Sequence, residues 1–252
     1  MFDHARTVLW TTRSIGKLSR REQRRVKQGV RGDWRLELAL YGWSEQRREA
    51  LLTALEAATG MARAEPVGDG ALRLRGSVVG VSLAAAAGHA LADWRLLLGD
   101  VGVTVDELRD ATTGLTVDPD PNPPVVEAAG GLRGLTGRAI GPTLHAMKVA
   151  TSQLAAVNEI GGPPRDLYVS GEIDGLDGLD SGELLRRTRV RAVDARITDG
   201  ALPITVHCRE SQTPYGALVT AVRTLADLLE VVPAGSGMTF GCNPAWTAPS
   251  RA

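Results

Sequence analysis

From Asp33 onward the chain alternates: Trp34, Leu36, Leu38 and Leu40 are separated by Arg35, Glu37 and Ala39. This is the period-two pattern of a strand with one buried face. Ser44 then stands where a helix cap belongs. Leu51, Leu52, Leu55 and Ala58 follow on one helical face, and Gly60 sits where a helix ends. Gly68-Asp69-Gly70 reads as a turn between two strands, the second near Ala71–Arg75. The apolar run Val78–Leu98 is ambiguous by period alone, and a strand continuing as a helix from about Ala84 is expected. A short helix near Asp106–Ala111 closes this half.

The second half is patterned more sharply. Pro142 suits a first helical position, Leu144, Met147, Leu154, Val157 and Ile160 follow at near-helical spacing, and Gly161-Gly162-Pro163-Pro164 stops the helix. Leu167–Ile173 reads as a strand, and Asp180 with Glu183 resembles a capped start for a short helix at Leu184–Arg187. Thr188–Ile197 and Leu202–Cys208 read as strands joined at Asp199-Gly200, a hairpin signal. Thr213-Pro214 opens a helix with Leu218, Val222, Leu225 and Leu229 inward, and Met238–Cys242 is a last short strand. No internal repeat of fixed period is legible.

This order predicts an α+β fold: a mixed β-sheet with helices packed mainly on one face. Two subdomains are expected, at residues 33–115 and 132–252, with a basic arm at 1–32 and an Asp/Pro-rich linker at 116–131. The run Asp118-Pro119-Asp120-Pro121-Asn122-Pro123-Pro124 lacks backbone donors at its four prolines and favours extended conformations. An extended spacer and a surface loop within one domain fit it equally.

Composition adds little until charge is mapped. Over 252 residues, 29 Lys and Arg balance 29 Asp and Glu. Yet residues 13–31 hold Arg13, Lys17, Arg20, Arg21, Arg24, Arg25, Lys27 and Arg31 against Glu22 alone, so the arm carries +7 and the remainder −7. Ser19 with Glu22 fits a capping box, but only Val26 and Val30 are apolar between Arg20 and Val30, too thin a stripe to anchor a helix. His89, Asp93 and Arg95 interrupt the most apolar stretch, so a membrane span is not expected. No signal-peptide pattern and only two cysteines, Cys208 and Cys242, point to a cytoplasmic protein.

Candidate chemistry is sparse. His207 and Cys208 are adjacent near Glu210, but neighbouring strand residues point to opposite faces, so a buried thiol and a surface imidazole are the plainer expectation. Cys208 and Cys242 end two strands that flank one helix, which leaves their proximity open, with two buried thiols favoured over a disulfide. Glu172, Asp174, Asp177 and Asp180 lack calcium-loop spacing and read as an acidic turn leading into a helix cap. His4, His89, His145 and His207 show no metal spacing, so no metal is expected. Gly76, Gly80 and Gly88 match no phosphate-loop fingerprint, and no other cofactor is implied. The basic stretch Gly130–Arg138 precedes a helix and reads as a loop that feeds it, with an anion cradle as the alternative.

One stretch carries a local resemblance. Thr213-Pro214-Tyr215-Gly216-Ala217-Leu218-Val219, followed by Met238-Thr239-Phe240-Gly241, resembles the end of the periplasmic domain of ExbD/TolR-type biopolymer-transport proteins over about 40 residues. The family's N-terminal membrane helix has no counterpart in this sequence, and a hairpin strand is extra. The resemblance implies a strand–helix–strand layout at the C-terminus and nothing further.

The function these features favour is a non-enzymatic protein-binding or assembly subunit. Its basic arm would dock on an acidic protein surface or on a second copy. A nucleic-acid-binding protein using the same arm is the first alternative, with few aromatics near the arm to support it. A small-molecule enzyme or sensor with a site around His207, Cys208 and Glu210 is the second.

Overall fold

The computed structural model describes residues 32–59, 64–66, 70–80, 82–120, 165–186, 196–211, 213–233 and 235–243. Its strands are β1 (Gly32–Tyr41), β2 (Ala64–Pro66), β3 (Leu72–Gly80), β4 (Thr112–Pro119), β5 (Arg165–Asp174), β6 (Leu202–Ser211) and β7 (Gly237–Cys242). The helices are α1 (Glu45–Thr59), α2 (Leu83–Asp100), α3 (Val105–Asp110), α4 (Ser181–Arg186), α5 (Pro214–Thr224) and α6 (Ala226–Leu229).

Local chemistry starts the helices, at Ser44 and Thr213 as the pattern predicts and at Ser82 besides. The Ser44 hydroxyl accepts from the Arg47 amide at 3.3 Å, Ser82 from Ala85 at 3.2 Å, and Thr213 from Gly216 at 3.0 Å. Each satisfies a donor that a helix start leaves unpaired. Asp199 and Gly200 both adopt positive φ, 50° and 74°, and turn the chain into β6. That is the conformation an Asp-Gly hairpin turn requires.

The seven strands form one sheet in the order β2-β3-β1-β4-β7-β5-β6, antiparallel at every described pairing. The α+β class is as expected, and the mixed sheet resolves into an antiparallel one. The two halves meet edge to edge through β4 and β7, and their buried residues form one hydrophobic core. Every described helix contributes to that core, which places the helices on one face of the sheet. Thr116–Pro119 belong to β4 rather than to a linker. Pro119 ends the strand opposite Trp34, where its missing N–H is tolerated. Residues 121–131 lie outside the described residues, as do the predicted helix from Pro142 and most of the predicted strand Thr188–Ile197.

The two halves have the same topology. In the first, β1 lies between β3 and β4, and α2 and α3 make the connection between those outer strands. In the second, β5 lies between β6 and β7, and α5 and α6 make the connection. A two-fold rotation perpendicular to the sheet exchanges them. It passes through the Thr116–Thr239 pair, whose hydroxyls are 3.4 Å apart. The register matches row by row: Leu38 stands between Leu74 and Leu115, and Ile173 between Leu202 and Met238. Gly114-Leu115-Thr116-Val117 and Gly237-Met238-Thr239-Phe240 occupy equivalent places. Loops and helices of unequal length hide this duplication from a search at fixed period.

Candidate functional site

The sheet has a second face, away from the core. Period two fixes its residues. On β1 and β3 it presents Arg35, Glu37, Arg73 and Arg75; on β5 and β6, Asp166, Tyr168, Ser170, Glu172, Thr205, His207 and Arg209. Their inward neighbours Leu36, Leu38, Leu72, Leu74, Val169, Ile173, Val206 and Cys208 are buried.

Two clusters stand at opposite ends of this face. At the first, Glu37 is shared by Arg73 at 3.3 Å and Arg75 at 3.2 Å. The cross-strand pairs Glu37↔Arg75 and Ala39↔Arg73 bring the two guanidinium groups to one carboxylate. At the second, Tyr168 and His207 are directly paired across β5 and β6, and their rings stack with centroids 4.7 Å apart and planes 9° from parallel. Asp166 lies 3.3 Å from His207 Nε2. A bulge between Arg165 and Leu167 interrupts the regular register beside it. Tyr168 remains 55% exposed, a large ordered aromatic offered to its surroundings.

Between the clusters the face is lined by small groups. Gly114 pairs with Gly241 and Thr116 with Thr239. Asp118 and Asp174 bring carboxylate oxygens within 2.9 Å of where a side chain on Gly237 would begin. Asp174 accepts the Gly237 amide at 3.0 Å.

The residues singled out from the sequence fall as follows. His207 lies on the open face, while Cys208 is fully buried on the core face and its thiol donates to the Ala217 carbonyl at 3.3 Å. Burial pushes the Cys208 thiol up to about 11, so a paired His–Cys nucleophile is not formed. Cys208 and Cys242 are both buried and in no disulfide, and β5 separates their strands. That settles the open question of their bonding in favour of two thiols. Asp180 caps α4 by accepting the Gly182 amide at 2.9 Å, which bears out the acidic stretch as a turn into a helix. Among the described residues no group of three or more His, Cys, Asp or Glu side chains is placed to hold a metal. The arm residues Arg13, Lys17, Arg20, Arg21, Arg24, Arg25, Lys27 and Arg31, and the stretch Gly130–Arg138, lie outside the described residues.

Sequence reasoning missed the Tyr168–His207–Asp166 cluster. Part of its signal was present, because Tyr168 and His207 lie on two predicted strands; Asp166 fell just before the predicted strand Leu167–Ile173, and only the register brings the three together. No family model matches this chain, and no curated protein matches it. Among the described residues, no helix is long and apolar enough to cross a membrane.

Proposed function

We propose that this chain is a protein-binding subunit of an assembly, docking through its basic N-terminal arm and presenting the open face of its sheet to neighbouring proteins. The observation that carries this reading is the exposed Tyr168, stacked on His207 and held by two paired strands. Aromatic side chains already fixed in position lose little entropy on binding and dominate interface energetics. The arm adds long-range attraction: its +7 against a body of −7 favours an acidic protein surface over a polyanion that the body would repel. A site built jointly from His207 and Cys208 is set aside, because the two occupy opposite faces.

Removing residues 1–32 tests the arm. Partner capture from the native source should weaken, and the remaining binding should lose most of its salt dependence. Unchanged capture would sink the proposal. Recovery of nucleic acid instead, with a log–log salt slope near one unit per phosphate contacted, would transfer the arm to the nucleic-acid reading.

A further inference from the structure

We propose that, without a partner, the basic arm occupies a groove on the open face of its own sheet, so that arm and face mask each other until an acidic surface draws the arm away. The proposal rests on the assembly reading for its role and adds regulation of the same two elements. Its basis is the charge of the face and the point at which the arm enters it. Across β1, β2 and β3 the register sets three acids, Asp33, Glu37 and Glu65, against three arginines, Arg35, Arg73 and Arg75. On β4, β5 and β6 four acids, Asp118, Asp166, Glu172 and Asp174, stand against one arginine, Arg209. The face is therefore net negative, and its surplus lies from β4 onward. The arm carries the opposite sign, +7 over residues 13–31.

The shape of the face gives the arm a path. On this side β7 carries only Gly237, Thr239 and Gly241, and the strand is buried along its whole length. It forms the floor of a groove between β4 and β5. Asp118 and Asp174 converge above Gly237 at one end. Glu172 stands beside Thr239 in the middle, and Tyr168 lies past Gly241 at the other end. The arm ends where this groove begins: Gly32 opens β1, and Arg35 is paired with Asp118. Neighbouring strands are about 4.8 Å apart, so β7, two strands from β1, is about 10 Å away. An extended chain covers about 3.4 Å per residue. Arg31, Lys27, Arg25 and Arg24 therefore have the length to reach the acidic rim, and Arg20 and Arg21 to reach Tyr168, whose ring face accepts a guanidinium. A glycine floor with carboxylates above it suits a segment that brings charge and, between Arg20 and Val30, only Val26 and Val30 as apolar residues. Tethering holds the arm at an effective concentration of about millimolar, so its own face outcompetes a second copy in dilute solution.

The test uses full-length protein with a nitroxide attached at Ser19→Cys, thirteen residues before Gly32. Cys208 and Cys242 are buried, so the label goes to the new thiol. The readout is the broadening of backbone amide signals. At low salt the amides of Gly237, Thr239 and Gly241 should broaden at least about threefold more than at 1 M salt, where the screening length is about 3 Å. Changing Arg20, Arg21, Arg24 and Arg25 to Ser leaves the sheet untouched and should abolish the broadening. Asp118→Asn with Glu172→Gln should abolish it from the other side. The same face variant should bind polyglutamate, an acidic probe, at least about threefold more tightly, because the arm no longer has to leave its own face. Damage to the fold would not strengthen that binding. Absence of broadening at every salt concentration would overturn the proposal, as would broadening that survives both variants. Broadening passed to an unlabelled copy in a mixture would place the arm on a second copy and overturn it equally. A docked arm in a protein that captures no partner would remove the assembly reading and leave this contact standing. An undocked arm in a protein that still captures an acidic partner would do the reverse.

Discussion

In the N-terminal half Leu36 stands between Gly76 and Val117; at the equivalent place in the C-terminal half Gly171 stands between Ile204 and Phe240. The bulk has moved from the central strand to its neighbours. A Cβ on Gly171 would fall 1.9 Å from the Thr239 carbonyl oxygen and 2.4 Å from the Phe240 ring. The two halves therefore fill the same layer with different side chains. Packing constrains total volume and pattern more tightly than identity. On the open face nothing enforces such compensation, and the halves have diverged: Arg73 and Arg75 sharing Glu37 at one end, Tyr168 stacked on His207 beside Asp166 at the other. The shared side of the comparison is the packed core, and the divergent side is the open face.

The largest expected effects come from breaking the packing in opposite directions. Leu36→Ala should leave a cavity and cost about 3 kcal/mol, and Gly171→Ala should overpack and cost about 2–3 kcal/mol. Both are read from urea midpoints at unchanged m-value. If Gly171→Ala were neutral, the exchange of bulk between the halves would not be a packing requirement.

Next in size is the link between halves. The buried Tyr215 hydroxyl on α5 donates to the Leu91 carbonyl on α2, so the pseudo-equivalent helices are tied by a hydrogen bond across the two-fold. Tyr215→Phe should cost about 1 kcal/mol with little change in shape. A cost indistinguishable from zero would mean that apolar contact alone joins these helices.

A comparable effect belongs, among the described residues, to the N-terminal half. Glu107 closes the capping box of α3 with Thr104 and takes Arg47 at 2.6 and 3.1 Å. The Arg47 hydrogen bond holds the Glu107 carboxyl below its usual range against the opposing cost of burial. A lowered folded-state pKa means that the stabilisation is complete above the unfolded value and lost as pH falls through the folded one. Glu107→Gln should thus cost about 1 kcal/mol near neutrality. The gap from wild type should close below about pH 4. A gap that widened in acid would contradict the ion-pair account.

The smallest effect concerns Cys208. With its thiol buried and pushed up to about 11, alkylation at pH 8 should be negligible in the folded protein and complete in urea. Rapid labelling without denaturant would show that β6 opens readily at this end.

Much of the fold is legible along the chain because its causes are local. Alternation in 34–40 marked β1, the Thr213-Pro214 pair marked the start of α5, and Asp199-Gly200 marked the turn before β6, each from interactions spanning a few residues. The cluster on the open face was not legible to the same degree. Asp166, Tyr168 and His207 are far apart in sequence, and strand register alone decides that they meet. The basic arm, by contrast, was visible at once, since charge density needs no structure to be counted.

The sequence by itself determined which residues are buried, where helices and strands begin, and that a strongly basic segment adjoins an acidic body. These follow from side-chain hydrophobicity, capping chemistry and charge, which act within a turn or a strand. Only the tertiary structure decided that β4 and β7 join the halves into one sheet, that a two-fold relates them, and that Asp166, Tyr168 and His207 meet on one face. Strand order and register depend on backbone pairing between segments distant in the chain, and no local property of either segment encodes its partner.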